Sequence, residues 1–253
     1  MPSIGQAKRL RALSRRKGRR EYQMLLAEGP RVVADLLRSG IPVHQALYTK
    51  ASAGDPAVAA ALEALRDAEV PVEEVSPAEF GEFAGTVTPQ GILAVADIPA
   101  WSFDDVQTAN LVVLDAVQDP GNVGTLIRAA EALGSGGVAC LPGTADAWNP
   151  KTVRAASGSS FRLPVFETTV QALVDWCGGH GSTLLASAVG GEPAARDRRS
   201  GGVALVLGNE GAGVSAKILE VADGVVGIPL FAGTDSLNVA IAGAILMDRM
   251  FGG

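Results

Sequence analysis

A chain of 253 residues is long for one small domain and short for three, so one large α/β unit with a smaller partner is expected. Hydrophobic residues make up 47% of it, yet no apolar run reaches the roughly eighteen residues of a membrane span and the basic N-terminus lacks the apolar stretch of a secretory signal, which points to a cytoplasmic protein. The formal charge of -6 argues against a nucleic-acid partner only until it is divided: ten basic residues against three acidic ones leave +7 in residues 1–38 and -13 elsewhere.

In chain order, the first segment reads as a basic helix, followed by an apolar strand around Met24 to Ala27 and a helix that Pro30 opens and Gly40 closes. A polyanion would release counterions at such an arm, so Lys8, Arg9, Arg15, Arg16, Lys17, Arg19 and Arg20 are candidates for contacting one; a solvated tail is the alternative on charge alone. Val43 to Tyr48 is strand-like, Pro56 to Ala68 a helix rich in Ala and Leu, Pro77 to Phe83 a short helix, and Val70 to Val75 and Gly91 to Ala96 short strands. These make one small α/β sandwich, residues 1–97. A linker, 98–109, interrupts the periodicity with Pro99, Trp101 and several polar residues.

Residues 110–253 are more regular. Apolar runs of strand length at Leu111 to Leu114, Val138 to Leu141, Pro164 to Phe166, Leu184 to Ala188, Val203 to Leu207 and Val225 to Ile228 imply a parallel sheet buried on both faces. The intervening helices are expected at Asn122 to Leu133, Pro150 to Ser157, Val170 to Trp176, Val214 to Ala222 and Leu237 to Met250. Cys140 and Cys177 belong to no CxxC or Cys/His cluster, so buried thiols are expected and neither a disulfide framework nor a metal site. His44 and His180 stand apart from every motif.

Glycines crowd three strand exits: DAVQDPGNVGTLIRAAEALG from Asp115, LVLGNEGAGVS from Leu205 and IPLFAGTDSLNVAIAGAI from Ile228. In an open parallel sheet such loops are where ligands bind, because small residues let backbone amides approach. The spacing of Gly208, Gly211 and Gly213 is GxxGxG, which is not the dinucleotide GxGxxG, and no GxxxxGK[ST] phosphate loop occurs. A nucleotide-dependent oxidoreductase is thereby disfavoured. Singly, Asn122 and Ser236 could be helix N-caps and Asn238 a solvated first-turn residue. Together, Asn122, Arg128, Glu210, Ser236 and Asn238 all lie at or just beyond strand ends of one sheet.

These segments resemble the three signature motifs of the SpoU/TrmH family of RNA 2′-O-ribose methyltransferases, in the SPOUT superfamily. The matches are NxGxxxR at Asn122, Gly124 and Arg128, LGNEGxG at Leu207 to Gly213, and IP with SLNV at Ile228, Pro229 and Ser236 to Val239. VRAASGSSFRLPV from Val153 resembles a stretch between the first two motifs, and KRLRALSRRKGRR with LLAEGPRVVADLL resembles the family's substrate-binding domain. One departure falls at Ala232 and Gly233, where the family's loop often has its glycine one residue earlier.

The resemblance implies an α/β fold whose C-terminal parallel-sheet domain is tied in a deep trefoil knot, a homodimer completing the active sites, and S-adenosylmethionine as cofactor. It implies cofactor contacts from Leu207, Gly208, Asn209, Ile228, Ser236 and Leu237, and a catalytic set of Asn122, Arg128, Glu210, Ser236 and Asn238, with no metal. Arg154 and Arg162 are further candidates for RNA phosphate. By analogy of domain layout, ribosomal RNA is favoured over transfer RNA. A non-catalytic RNA-binding protein of the same fold is the alternative, for which erosion at Arg128, Glu210 or Asn238 is expected; all three residues are present.

Overall fold

A computed structural model describes residues 4–84, 89–194, 201–231 and 235–251; Ala232 and Gly233 lie outside these. The chain forms two compact units, one of residues 1–99 with 148–162, the other of residues 100–147 with 163–253.

In the first unit the basic segment is two helices, α1 (Ile4–Leu13) and α2 (Arg16–Tyr22). Then come β1 (Met24–Glu28), α3 (Pro30–Arg38), β2 (Val43–Thr49), α4 (Pro56–Asp67), β3 (Val72–Val75), α5 (Pro77–Ala84) and β4 (Ile92–Asp97). Proline opens α3, α4 and α5, where its fixed φ suits a helix start and its missing N–H goes unmissed. The sheet order is β1-β4-β2-β3, with β4 antiparallel to both neighbours and β2 parallel to β3. Its core holds Leu10 and Leu13 of α1, both 0% exposed, with Leu26, Leu47, Phe80, Phe83 and Leu93. The basic segment is therefore welded to the sheet by its own leucines.

The second unit begins inside the expected linker. Phe103 of the 3₁₀ turn Phe103–Asp105 meets Phe166 edge-on at 4.9 Å and stacks on Trp176 at 5.6 Å, so the aromatic residues dock this stretch on the core. After it run β5 (Leu111–Asp115), α6 (Pro120–Ala132), β6 (Val138–Cys140), α7 (Pro150–Ala156), β7 (Val165–Glu167), α8 (Val170–His180), β8 (Thr183–Pro193), β9 (Val203–Gly208), α9 (Ala216–Leu219), β10 (Gly224–Gly227) and α10 (Val239–Met250). The six strands are all parallel in the order β10-β8-β9-β5-β6-β7, and every residue of β5 and β9 is buried, as the unbroken apolar runs require. Both thiols are free and buried. Desolvation first, and the nearby Asp223 charge second, push the Cys177 thiol up to about 11, which leaves it inert.

Of the boundaries that differ from the sequence expectation, two bear on the placement of expected site residues. Helix α6 starts at Pro120, two residues before Asn122, because Asp119 is the N-cap and accepts from the amides of Gly121 (2.6 Å) and Asn122 (3.2 Å). Residues 148–162, read as part of the catalytic domain, belong to the first unit. There Arg154 of α7 donates to the Glu28 carboxylate at 2.7 Å; Glu28 is 1% exposed and also accepts from the Gln90 amide at 3.0 Å.

Candidate active site

Asn122 follows β5, Glu210 follows β9 and Asn238 follows β10, so all three lie beyond the C-terminal ends of parallel strands. With Asp119 capping α6, the side chain of Asn122 is released from capping and points its amide elsewhere. Its Nδ2 donates to Glu210 Oε1 at 2.9 Å, and its Oδ1 accepts from Asn238 Nδ2 at 3.1 Å. The three segments are thus closed into one relay, Glu210–Asn122–Asn238. Asn238 serves twice, since its Oδ1 also caps α10 by accepting from Ala240 at 2.9 Å and Ile241 at 3.4 Å.

Glu210 accepts two further bonds, from the backbone amides of Gln118 (3.1 Å) and Asp119 (3.3 Å) at the mouth of α6. Partial burial, the largest single effect, would raise its carboxyl, but the bonds from Asn122, Gln118, its own amide and Asp119 together outweigh it and hold the group below its ordinary value. Glu210 is therefore an ionised anchor whose lone pairs are directed at N–H groups of the β5–α6 turn, an arrangement ill suited to proton abstraction.

The LGNEG loop is fixed from within. Asn209 Nδ2 donates to the Ala116 carbonyl at 2.9 Å, its Oδ1 accepts from Gly211 and Ala212 at 2.9 Å each, and its backbone pairs both ways with Gly213. Asn209, which was expected to touch cofactor, has its side-chain amide engaged in bracing the loop. A Cβ at Gly208 would lie 2.3 Å from both Gly213 C and Val214 N, so only glycine lets strand β9 turn under this loop. Asp115, 5% exposed at the end of β5, accepts from the Ser215 amide at 2.7 Å and ties down the loop's far end.

Of the other expected site residues, Leu207 and Gly208 are buried strand-end residues, Ile228 and Leu237 are half-buried, and Ser236 is exposed just before α10. The main-chain groups of 228–231 and of Leu237 make no hydrogen bonds among the described residues. Arg128, exposed on α6, has no ion-pair or hydrogen-bond partner among the described residues. In the basic arm, Lys8, Arg15, Arg16, Lys17 and Arg20 are exposed. Arg19 is not: it is 2% exposed and its Nη1 donates to the Leu13 carbonyl at 2.7 Å. Arg9 is half-buried with its Nε enclosed, Arg154 is paired to Glu28, and Arg162 lies 3.7 Å from Asp35. Burial and internal pairing thus remove Arg19 and Arg154 from the exposed cationic surface.

Two contributors escaped the sequence reading. Asp119 was legible, since Asp followed by Pro is an N-cap with a proline at the first helical position. Thr144, buried at 4%, bridges Leu114 O and Ala116 N and carries no such local signal.

Residues 109–248 match the SpoU rRNA Methylase family and residues 5–94 the MRM3-like substrate binding domain. The 23S rRNA (guanosine(2553)-2′-O)-methyltransferase RlmP of Bacillus subtilis is 43% identical over 175 residues, 68% of this chain and 69% of that protein. Among solved structures, the SpoU methyltransferase AviRb from Streptomyces viridochromogenes in complex with AdoMet is similar at TM-score 0.87 and 27% identity, over 98% of this chain and 97% of that one. An AdoMet-bound rRNA methyltransferase from Sinorhizobium meliloti is similar at TM-score 0.83 and 29% identity, over 98% and 95%.

Proposed function

This chain belongs to the SpoU rRNA methylase family, and from that membership we infer that it transfers the methyl group of S-adenosylmethionine to a ribose 2′-hydroxyl of ribosomal RNA. The observation that carries the assignment of roles is the Glu210–Asn122–Asn238 relay, which joins the three motif segments at one place.

The residues fit the cofactor: among the described residues the main-chain donors and acceptors at Ile228 and Leu237 make no hydrogen bond, and such groups suit an adenosine. When bound, S-adenosylmethionine supplies an electrophilic methyl on a sulfonium. Leu207, Gly208, Asn209, Ile228, Ser236 and Leu237 are the residues that would hold it, mainly through the backbone. Asn122 and Asn238 fix the geometry in which the ribose hydroxyl meets the methyl, worth orders of magnitude through orientation alone. Arg128, exposed and without a partner among the described residues, clamps the target nucleotide's phosphate and stabilises the charge that develops on the ribose oxygen. A guanidinium keeps its proton and has no lone pair to accept another, so it stabilises the oxygen's charge while the hydroxyl proton passes to water.

The exposed Lys8, Arg15, Arg16, Lys17 and Arg20 place structured RNA without reading bases. The working form is a cytoplasmic homodimer with the C-terminal domain knotted, and Ile241 of α10, 55% exposed, is apolar surface that a second copy covers. The direct test incubates the purified protein with methyl-labelled S-adenosylmethionine and ribosomal RNA, then digests to nucleosides. Label is expected in a 2′-O-methylribonucleoside; label in a base, or none in RNA, contradicts the assignment.

A further inference from the structure

We propose that Thr144 is a positioning residue for the methyl transfer, acting through Ala116 on the turn that carries the relay; the proposal rests on the methyltransferase function above. Ala116 is the first residue beyond β5 and has φ 57°, in the left-handed region that a non-glycine residue seldom occupies. Two contacts hold it there. The Thr144 hydroxyl accepts from the Ala116 amide at 3.1 Å while donating to the Leu114 carbonyl at 2.8 Å, and Asn209 Nδ2 donates to the Ala116 carbonyl at 2.9 Å.

The same 141–145 loop grips the strand exit on both sides of Ala116. Leu141 N donates to Leu114 O at 2.9 Å, and Ala145 N to Val117 O at 2.8 Å. Gly143 packs so closely that a Cβ on it would lie 3.0 Å from that of Ala116. Immediately after this clamp, the amides of Gln118 and Asp119 point at Glu210 and α6 begins. Left-handed Ala116 therefore aims the turn, and Thr144 is the side chain that fixes Ala116 at its N–H. Strain held at a single residue beside a site persists only where its surroundings over-determine it, which is the situation here.

Thr144→Val keeps the shape and removes both hydrogen bonds. Assayed with S-adenosylmethionine and ribosomal RNA from cells lacking the gene, it should lower kcat at least tenfold, with the cofactor Kd from calorimetry changed less than threefold. Thr144→Ser should restore most of the turnover. Ala116→Gly, free to adopt φ > 0, should rescue Thr144→Val when combined with it. Unaltered kcat in Thr144→Val overturns the proposal, as do equal losses of cofactor binding and turnover that neither serine nor Ala116→Gly repairs. Should Thr144→Val not fold, the double variant must regain both fold and turnover, and its failure is equally decisive. An inactive parent protein would instead count against the methyltransferase function itself.

Discussion

Glu210 is the residue whose chemistry is most constrained. Oε1 serves Asp119 N and Asn122 Nδ2 while Oε2 serves Gln118 N, so no orientation of a glutamine amide avoids placing a donor against a donor. Glu210→Gln should lower kcat by roughly tenfold or more through misplacement of Asn122. Its pH behaviour has a definite sign. The folded group titrates below its ordinary 4.5, so its stabilising bonds are complete above that value and are lost as pH falls through the lowered one. The melting temperature of the parent should drop more steeply than that of Glu210→Gln in acid below about pH 4.5, and parallel curves would contradict the anchor role. For Arg128, a lysine keeps the charge and loses the planar fork; Arg128→Lys should cut turnover about tenfold, and full activity would remove the bidentate phosphate role.

At the scale of elements, the sheet was legible because β5 and β9 are unbroken apolar runs, whose burial on both faces only a covered parallel sheet provides. The start of α6 was less so. Asp119 and Asn122 are both capable caps three residues apart; the Asp-Pro pair marks Asp119 as the cap, but only the fold shows that Asn122 is thereby left to the relay. The place of 148–162 was illegible, since it depends on Glu28 and Arg154, 126 residues apart, with no local pattern linking them. Removing one partner of that pair strands a charge that is 1% exposed: Arg154→Ala should cost about 3 kcal/mol in urea unfolding, and Glu28→Gln with Arg154→Met together much less. At Gly208 the obstruction is backbone, which cannot rotate away, so Gly208→Ala should abolish cofactor binding in calorimetry even where the protein still folds.

For the whole molecule, net charge misleads. A chain of -6 carries a cationic segment, and the structure sorts that segment into buried and exposed members that sequence alone had pooled. Arg19 caps its own helix pair from inside, whereas Arg15, Arg16 and Lys17 crowd the turn between α1 and α2. Replacing those three with alanine should weaken RNA binding and reduce the slope of log K against log salt by about 2 to 3. An unchanged slope would place the RNA elsewhere. The central claim is that the three joined segments methylate one kind of atom, a ribose 2′-oxygen in ribosomal RNA. Mapping 2′-O-methyl sites in ribosomal RNA from cells without the gene, complemented with the parent or with Asn122→Ala, tests it most directly. The account predicts a site that is lost on deletion, restored by the parent and left unmethylated by Asn122→Ala; an identical set of 2′-O-methyl sites in all strains would contradict it.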